Sequence, residues 1–114
     1  MKDRQPVDTS GLHLPAGLPD GFSAYRQSPV FEHGTIPDAL KRNHRTKAGV
    51  WAVIHVLSGR LRYRIENPAS EQVLTPQNPG LVRPEEEHAV EADGPVRFVV
   101  EFYAAGTSAG DPHA

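Results

Sequence analysis

Cysteine is absent from the 114 residues. That excludes disulfides, thiolate metal ligands and a cysteine nucleophile, so any metal held by this chain takes its donors from histidine and carboxylate. No apolar run approaches the roughly 20 residues that a membrane span requires, and the N-terminus lacks the apolar stretch of a signal peptide. A cytoplasmic location is therefore the default expectation. An excess of one charge is missing too. Twelve basic residues against 14 acidic ones, a formal net charge of -2, give no electrostatic reason to expect nucleic acid or an anionic membrane as a partner. There is no amphipathic helix, internal repeat or low-complexity tract.

What the chain has in plenty is punctuation. Eleven prolines and ten glycines argue against long helices and for short strands joined by turns. The length suits one domain with a single core. The expected class is all-β, a sandwich or barrel. Residues 1–13 read as a flexible N-terminal arm, 14–104 as the barrel domain and 105–114 as a flexible tail, because both ends are poor in large apolar residues.

The organising stretch runs from Asn43 to Ile65. Every residue from 50 to 57 except His55 is apolar, which predicts a strand covered on both faces, with Trp51, Val53, His55 and Leu57 on one and Ala52, Ile54 and Val56 on the other. Ser58-Gly59 reads as a hairpin. In residues 60–66, Leu61, Tyr63 and Ile65 alternate with Arg60, Arg62 and Arg64, a strand with one dry face and one basic, solvated face carrying salt bridges. Residues 22–30 suit an edge strand because of Pro29, and 31–34 a turn. Residues 36–43 fit either a helical turn after Pro37 or a strand, and the strand is preferred. Asn67-Pro68 closes the basic strand. Short strands follow at 71–74, 81–83 and 89–91, with turns at 77–80 and at Asp93-Gly94, and a last strand spans 96–103.

Six histidines are present. His13 and His113 lie in the terminal segments, His33 sits in a turn, and His55 reads as a hydrogen-bonded core or interface residue. His44 and His88 differ, because both stand at the lip of a strand where a barrel opens. Glu101, within the apolar run 98–103, is costly to bury unless something cationic meets it. Two imidazoles and a carboxylate suit a divalent ion of borderline softness. The alternative is that Glu101 pairs with Arg83, Arg97 or Lys47 and that the histidines are polar rim. The run Glu85-Glu86-Glu87 reads as a solvated loop.

The runs Tyr25-Arg26-Gln27-Ser28-Pro29-Val30-Phe31, Ile36-Pro37-Asp38-Ala39-Leu40, His44-Arg45-Thr46-Lys47-Ala48-Gly49-Val50-Trp51 and Leu57-Ser58-Gly59-Arg60-Leu61-Arg62-Tyr63, together with Pro84, His88 and Val100-Glu101-Phe102-Tyr103, resemble one family. It is the small cupin domain found at the N-terminus of some tellurite-resistance B proteins and as a free-standing protein in many bacteria. The similarity covers about residues 14–103. It implies a conical, cupin-like β-barrel of the jelly-roll type with a metal inside its mouth on His44, His88 and Glu101, and a role in a stress response. Two departures stand out. General cupins carry two histidines one residue apart and then a glutamate, whereas here only His44 stands near that place and Ala52 occupies the glutamate position. The full four-ligand set is therefore absent, and a metal would bind more weakly and keep open positions. The methyltransferase that accompanies this domain in tellurite-resistance B has no counterpart, since no glycine-rich nucleotide-binding unit is present.

The expected function is a small metal-binding cupin that holds zinc, nickel or iron and a small-molecule or anionic ligand in the barrel mouth. One alternative is a metal-dependent enzyme, a dioxygenase or isomerase, with Tyr103, Glu86 or Glu87 as acid or base and Lys47 or Arg83 as anchor. The other is a non-catalytic structural dimer. A homodimer is expected in any case, because the apolar face around Trp51, Val53 and His55 needs cover.

Overall fold

A computed structural model describes residues 7–42, 44–66 and 69–105. Met1 to Pro6, Asn43, the Asn67-Pro68 turn, His113 and the tail beyond Ala105 lie outside the described residues. Six strands appear: β1 (Phe22–Gln27), β2 (Phe31–Glu32), β3 (Trp51–Glu66), β4 (Ala69–Leu74), β5 (Gly80–Val82) and β6 (His88–Ala105). They form one antiparallel sheet with the path β1-β6-β3-β4, to which β2 is added on β6 and β5 on β3. Among the described residues the helical content is a single 3-10 turn, Asp38–Lys41. From the sequence, a strand is preferred over a helical turn at this place, and the structure has the turn. Pro37 stands in extended backbone just before the turn, and Leu40 N–H bonds back to the Pro37 carbonyl.

The backbone of the fold is one long ribbon, β3 against β6, paired from Trp51↔Tyr103 to Ile65↔His88. Neither Ser58-Gly59 nor Asp93-Gly94 reverses the chain, contrary to the sequence expectation of four separate strands. Both are irregularities within continuous strands. Leu57 is an extra residue between the pairs Val56↔Phe98 and Ser58↔Arg97, and residues 93–95 stand opposite Arg60. Gly59 and Gly94 take positive φ of +85° and +81°. The hairpin signal is a demand for left-handed backbone, and a bulge satisfies it as well as a turn does.

The bulge also corrects the side-chain alternation. Ala52, Ile54 and Val56 join Leu61 and Tyr63 in one buried cluster with Leu74, Val82, Val90, Val96 and Phe98. In a regular strand, Val56 and Leu61 would face opposite sides. The extra residue at Leu57 brings both inward and bends the ribbon around the core. On the wet face the expected ladder is present: Arg60 meets Asp93 at 3.4 Å, Arg62 meets Glu71 at 3.7 Å and Arg64 meets Glu91 at 3.9 Å.

The other face of β3 and β6, carrying Val53, His55, Val99, Glu101 and Tyr103, is buried within the single chain. The N-terminal segment covers it. Thr9 bonds Glu101, Val7 and the Gln27 amide exchange hydrogen bonds, and Gly17 packs on Leu81, whose partner in the sheet is Val53. The described part of the arm, from Val7 onward, thus lies on the face that the sequence left in need of cover.

Candidate functional site

His44 and His88 meet. Their main chains exchange both hydrogen bonds, His44 N–H to the His88 carbonyl at 2.8 Å and His88 N–H to the His44 carbonyl at 2.9 Å. Their rings stand edge to face with centroids 5.5 Å apart. The approach to His88 is held by Thr46, which takes part in a bridge to Pro84 and accepts from Glu85 N–H at its carbonyl (3.2 Å) and its hydroxyl (3.3 Å). This bracing supports Glu85 at a φ of +62°, a left-handed conformation that costs a non-glycine residue about 1–2 kcal/mol.

His88 is 6% exposed. One ring nitrogen, Nδ1, lies 2.9 Å from the Glu86 carbonyl oxygen. A carbonyl only accepts, so Nδ1 carries the proton and the neutral ring keeps its lone pair at Nε2. Burial pushes the His88 pKa below the ordinary histidine value; the Glu86 bond opposes the shift and the His44 ring adds to it. Against the same ring lies Tyr63, whose hydroxyl donates to the Leu81 carbonyl at 2.8 Å and whose pKa is pushed up, chiefly by burial.

Both histidines line an open cavity of about 300 Å³ between the inner face of the sheet and the 3-10 turn. Its walls are mainly apolar, including Ile54, Val100 and the rings of Phe31, Phe98 and Phe102. Arg26 also lines it, with the guanidinium carbon 5.8 Å from the centre of the Phe102 ring. This arginine and the apolar cavity went unnoticed in the sequence, where Arg26 reads as an ordinary residue of an edge strand.

Glu101 does not join the histidines. It lies on the opposite face of the sheet, 7% exposed, and accepts from Thr9 Oγ1 at 2.9 and 3.1 Å, from the Tyr103 hydroxyl at 3.3 Å and from Gln27 Nε2 at 3.4 Å. Arg83, Arg97 and Lys47 are not its partners among the described contacts; Arg97 meets Glu32 instead. Diagonally across the β3–β6 pairing from Glu101 is His55, 2% exposed, whose Nε2 stands 3.5 Å from Glu101 Oε1 and makes no well-formed hydrogen bond among the described residues. Burial lowers the His55 pKa, against the opposing pull of the carboxylate. Burial and the neighbouring charge raise the Tyr103 pKa. Tyr103 and Glu101 thus belong to the anchor of the arm. Glu87, offered as an acid or base, pairs with Arg45 at 2.9 Å.

The expected three-residue metal centre is therefore not assembled. Among the described residues no group of three or more histidine, aspartate and glutamate side chains comes together. The pair that remains offers two nitrogen donors, one fewer than a typical catalytic zinc site takes from protein. The residues present do not fit the expected centre.

The TehB-like domain family matches residues 26–100. The chain belongs to the TehB-like family. A curated TehB-like relative, the probable S-adenosyl-L-methionine-dependent methyltransferase TehB of Haemophilus influenzae, is 34% identical over 73 residues, 60% of this chain and 26% of that protein. The crystal structure of TehB from Haemophilus influenzae superposes with a TM-score of 0.69 and 29% identity, covering 75% of this chain and 32% of that one. This TehB-like chain thus spans about a quarter to a third of those proteins. A protein of E. coli (strain K12) shares the fold at TM-score 0.71 and 22% identity, over 80% of this chain and 98% of that one. A cupin protein from Bacteroides fragilis matches at TM-score 0.52 and 16% identity, over 97% and 92%. The TehB-like chain is all-β, as its turn-rich sequence predicts, and cupin-like, as the family resemblance implies. None of its described helices is long and apolar enough to cross a membrane.

Proposed function

We propose that this TehB-like chain is a small-molecule-binding cupin module whose site is the apolar cavity beside His44 and His88. The observation that supports this is the cavity itself. At about 300 Å³ it lies at the lower end of the range for ligand pockets, and it joins apolar walls to a few polar groups, the usual composition of such sites.

Methyl-group spectra test the reading. Titration with a set of small aromatic compounds (toluene, phenol, benzoate) is expected to shift the methyl signals of Ile54, Val82 and Val100, which line the cavity, and to leave those of Val53 and Val99 on the opposite face in place. Absence of any shift, or shifts confined to the opposite face, would overturn it.

A second reading, a divalent ion on His44 and His88, has one observation in its favour. The Nδ1–H of His88 is held by a main-chain carbonyl, the arrangement that orients a ligating imidazole and leaves Nε2 available. With two protein donors, water or a bound molecule would have to complete the coordination. The methyl transfer named for TehB is attributed to a chain of which this one matches about a quarter, and no step of it is assigned to the residues described.

A further inference from the structure

The cavity carries an unusual balance of polar groups. Among its described lining residues there is one arginine, Arg26, and no carboxylate. Most of the other polar side chains are already occupied. The Gln27 amide is engaged by Val7 and Glu101, the Ser28 hydroxyl by the Pro29 carbonyl and Val100 N–H, and the Thr46 hydroxyl by the Val50 and Arg83 carbonyls. What is left for a ligand is the Arg26 guanidinium, which makes no ion pair among the described residues, and the imidazoles of His44 and His88. In His88 the Nδ1–H is committed to Glu86, so its remaining nitrogen accepts and does not donate.

Each of these groups selects a chemistry. A guanidinium with no carboxylate in the same cavity favours an anionic ligand group, above all a planar carboxylate that can take two parallel N–H bonds, and it disfavours a cation. An imidazole nitrogen with a lone pair favours a hydroxyl or N–H donor on the ligand. A carboxylate facing that nitrogen would meet acceptor against acceptor. Phenylalanine rings on the walls favour an aromatic body, packed offset or edge to face. The volume of about 300 Å³ suits a single substituted ring and is tight for a nucleotide.

We propose that the cavity takes a monocyclic aromatic acid that also carries a hydroxyl donor, of the hydroxybenzoate class, with the carboxylate at Arg26 and the hydroxyl at His88. This rests on the cavity being the binding site proposed above.

The test uses the full chain and compares 2-, 3- and 4-hydroxybenzoate with their methyl ethers and with the matching cresols, by calorimetry and methyl spectra. At least one hydroxybenzoate is expected to bind about tenfold more tightly than its methyl ether, the cost of leaving a buried acceptor unmatched. It is also expected to bind about tenfold more tightly than its cresol, which lacks the charge. Arg26→Gln, at an exposed position of β1, should abolish the advantage over the cresol, the acid losing about tenfold more affinity than the cresol does. Equal binding of hydroxybenzoates and their ethers, or an equal loss of acid and cresol in Arg26→Gln, would overturn the proposal while the cavity remained a binding site. If no aromatic probe binds at all, the cavity reading itself fails and this one with it.

Discussion

Glu101 Oε1 stands 3.5 Å from His55 Nε2, beneath the N-terminal arm and on the side of the sheet turned away from His44 and His88. The carboxylate is the point at which the arm is fastened. Thr9 donates to both of its oxygens, and the Gln27 amide ties Val7 beside it. Thr9→Val keeps the shape of the side chain and removes the donor. It is expected to lower the free energy of unfolding by about 1.5 kcal/mol, the low end for a hydrogen bond to a charged group, because Thr9 is only half-buried and water can reach its side of the bond. Urea denaturation measures the loss, and faster amide exchange at Val53 and Val99 should accompany it. Unchanged stability and exchange would mean that the arm is not held by this bond.

Both buried histidines make stability depend on pH. Burial lowers the folded pKa of His55 and of His88, whereas in the unfolded chain they titrate near 6.5. The folded state then binds fewer protons, so the stability associated with the neutral rings is complete above about pH 6.5 and is lost as the pH falls from there through the lower folded values. Each ring contributes a slope of up to about 1.4 kcal/mol per pH unit within that window. Urea midpoints should fall between about pH 7.5 and about pH 5.5, and His55→Gln should reduce the fall. An identical pH profile in the variant would remove His55 from the account.

The two bulge glycines are expected to respond differently. Gly94 has a φ of +81° and open space where a Cβ would lie, so Gly94→Ala should cost only the left-handed backbone, about 1–2 kcal/mol. At Gly59 the φ is similar, but a Cβ would collide with the Pro95 carbonyl on the facing strand. Gly59→Ala should therefore cost about 3 kcal/mol or more, since the β3–β6 ribbon must part to admit the methyl group. Thermal or urea unfolding distinguishes them, and equal losses would show that the ribbon yields at the bulge.

Metal content separates the two faces. Zinc, nickel or iron carried by the purified protein, or taken up from a solution of the metal salt, is expected to fall at least about tenfold in affinity in His44→Ala, because one of two donors is lost. It is expected to be unchanged in Glu101→Gln. Elemental analysis after dialysis provides the comparison. A loss in Glu101→Gln as large as that in His44→Ala would place the carboxylate at the metal and contradict the geometry.

Much of the local structure was legible. The alternation of Ala52, Ile54 and Val56 with Trp51, Val53 and His55, and of Leu61 and Tyr63 with the arginines, assigned each side chain to its observed face. The positions at which the chain needs glycine were also visible. What Gly59 and Gly94 accomplish was not, since positive φ serves a hairpin and a bulge equally and the choice depends on the strand lying opposite. That misreading carried the metal centre with it. Once β6 is seen as one strand, His88 and Glu101 are an odd number of residues apart, and the even step from Ala92 to Val96 preserves that parity across the irregularity. They therefore face opposite sides. Taken as two strands, the segment concealed this.

By itself the sequence determined that the chain builds strands, that residues 52–56 are buried on both faces, and that a TehB-like, cupin-like sheet results, because these follow from local alternation, turn chemistry and motif. Tertiary structure alone decided that His44 and His88 share a bridge, that Glu101 fastens the arm, and that Arg26 reaches an apolar cavity. With a side-chain period of two residues, one extra residue in a strand inverts every face beyond it, and where that residue is accommodated depends on pairing with a strand some forty residues away.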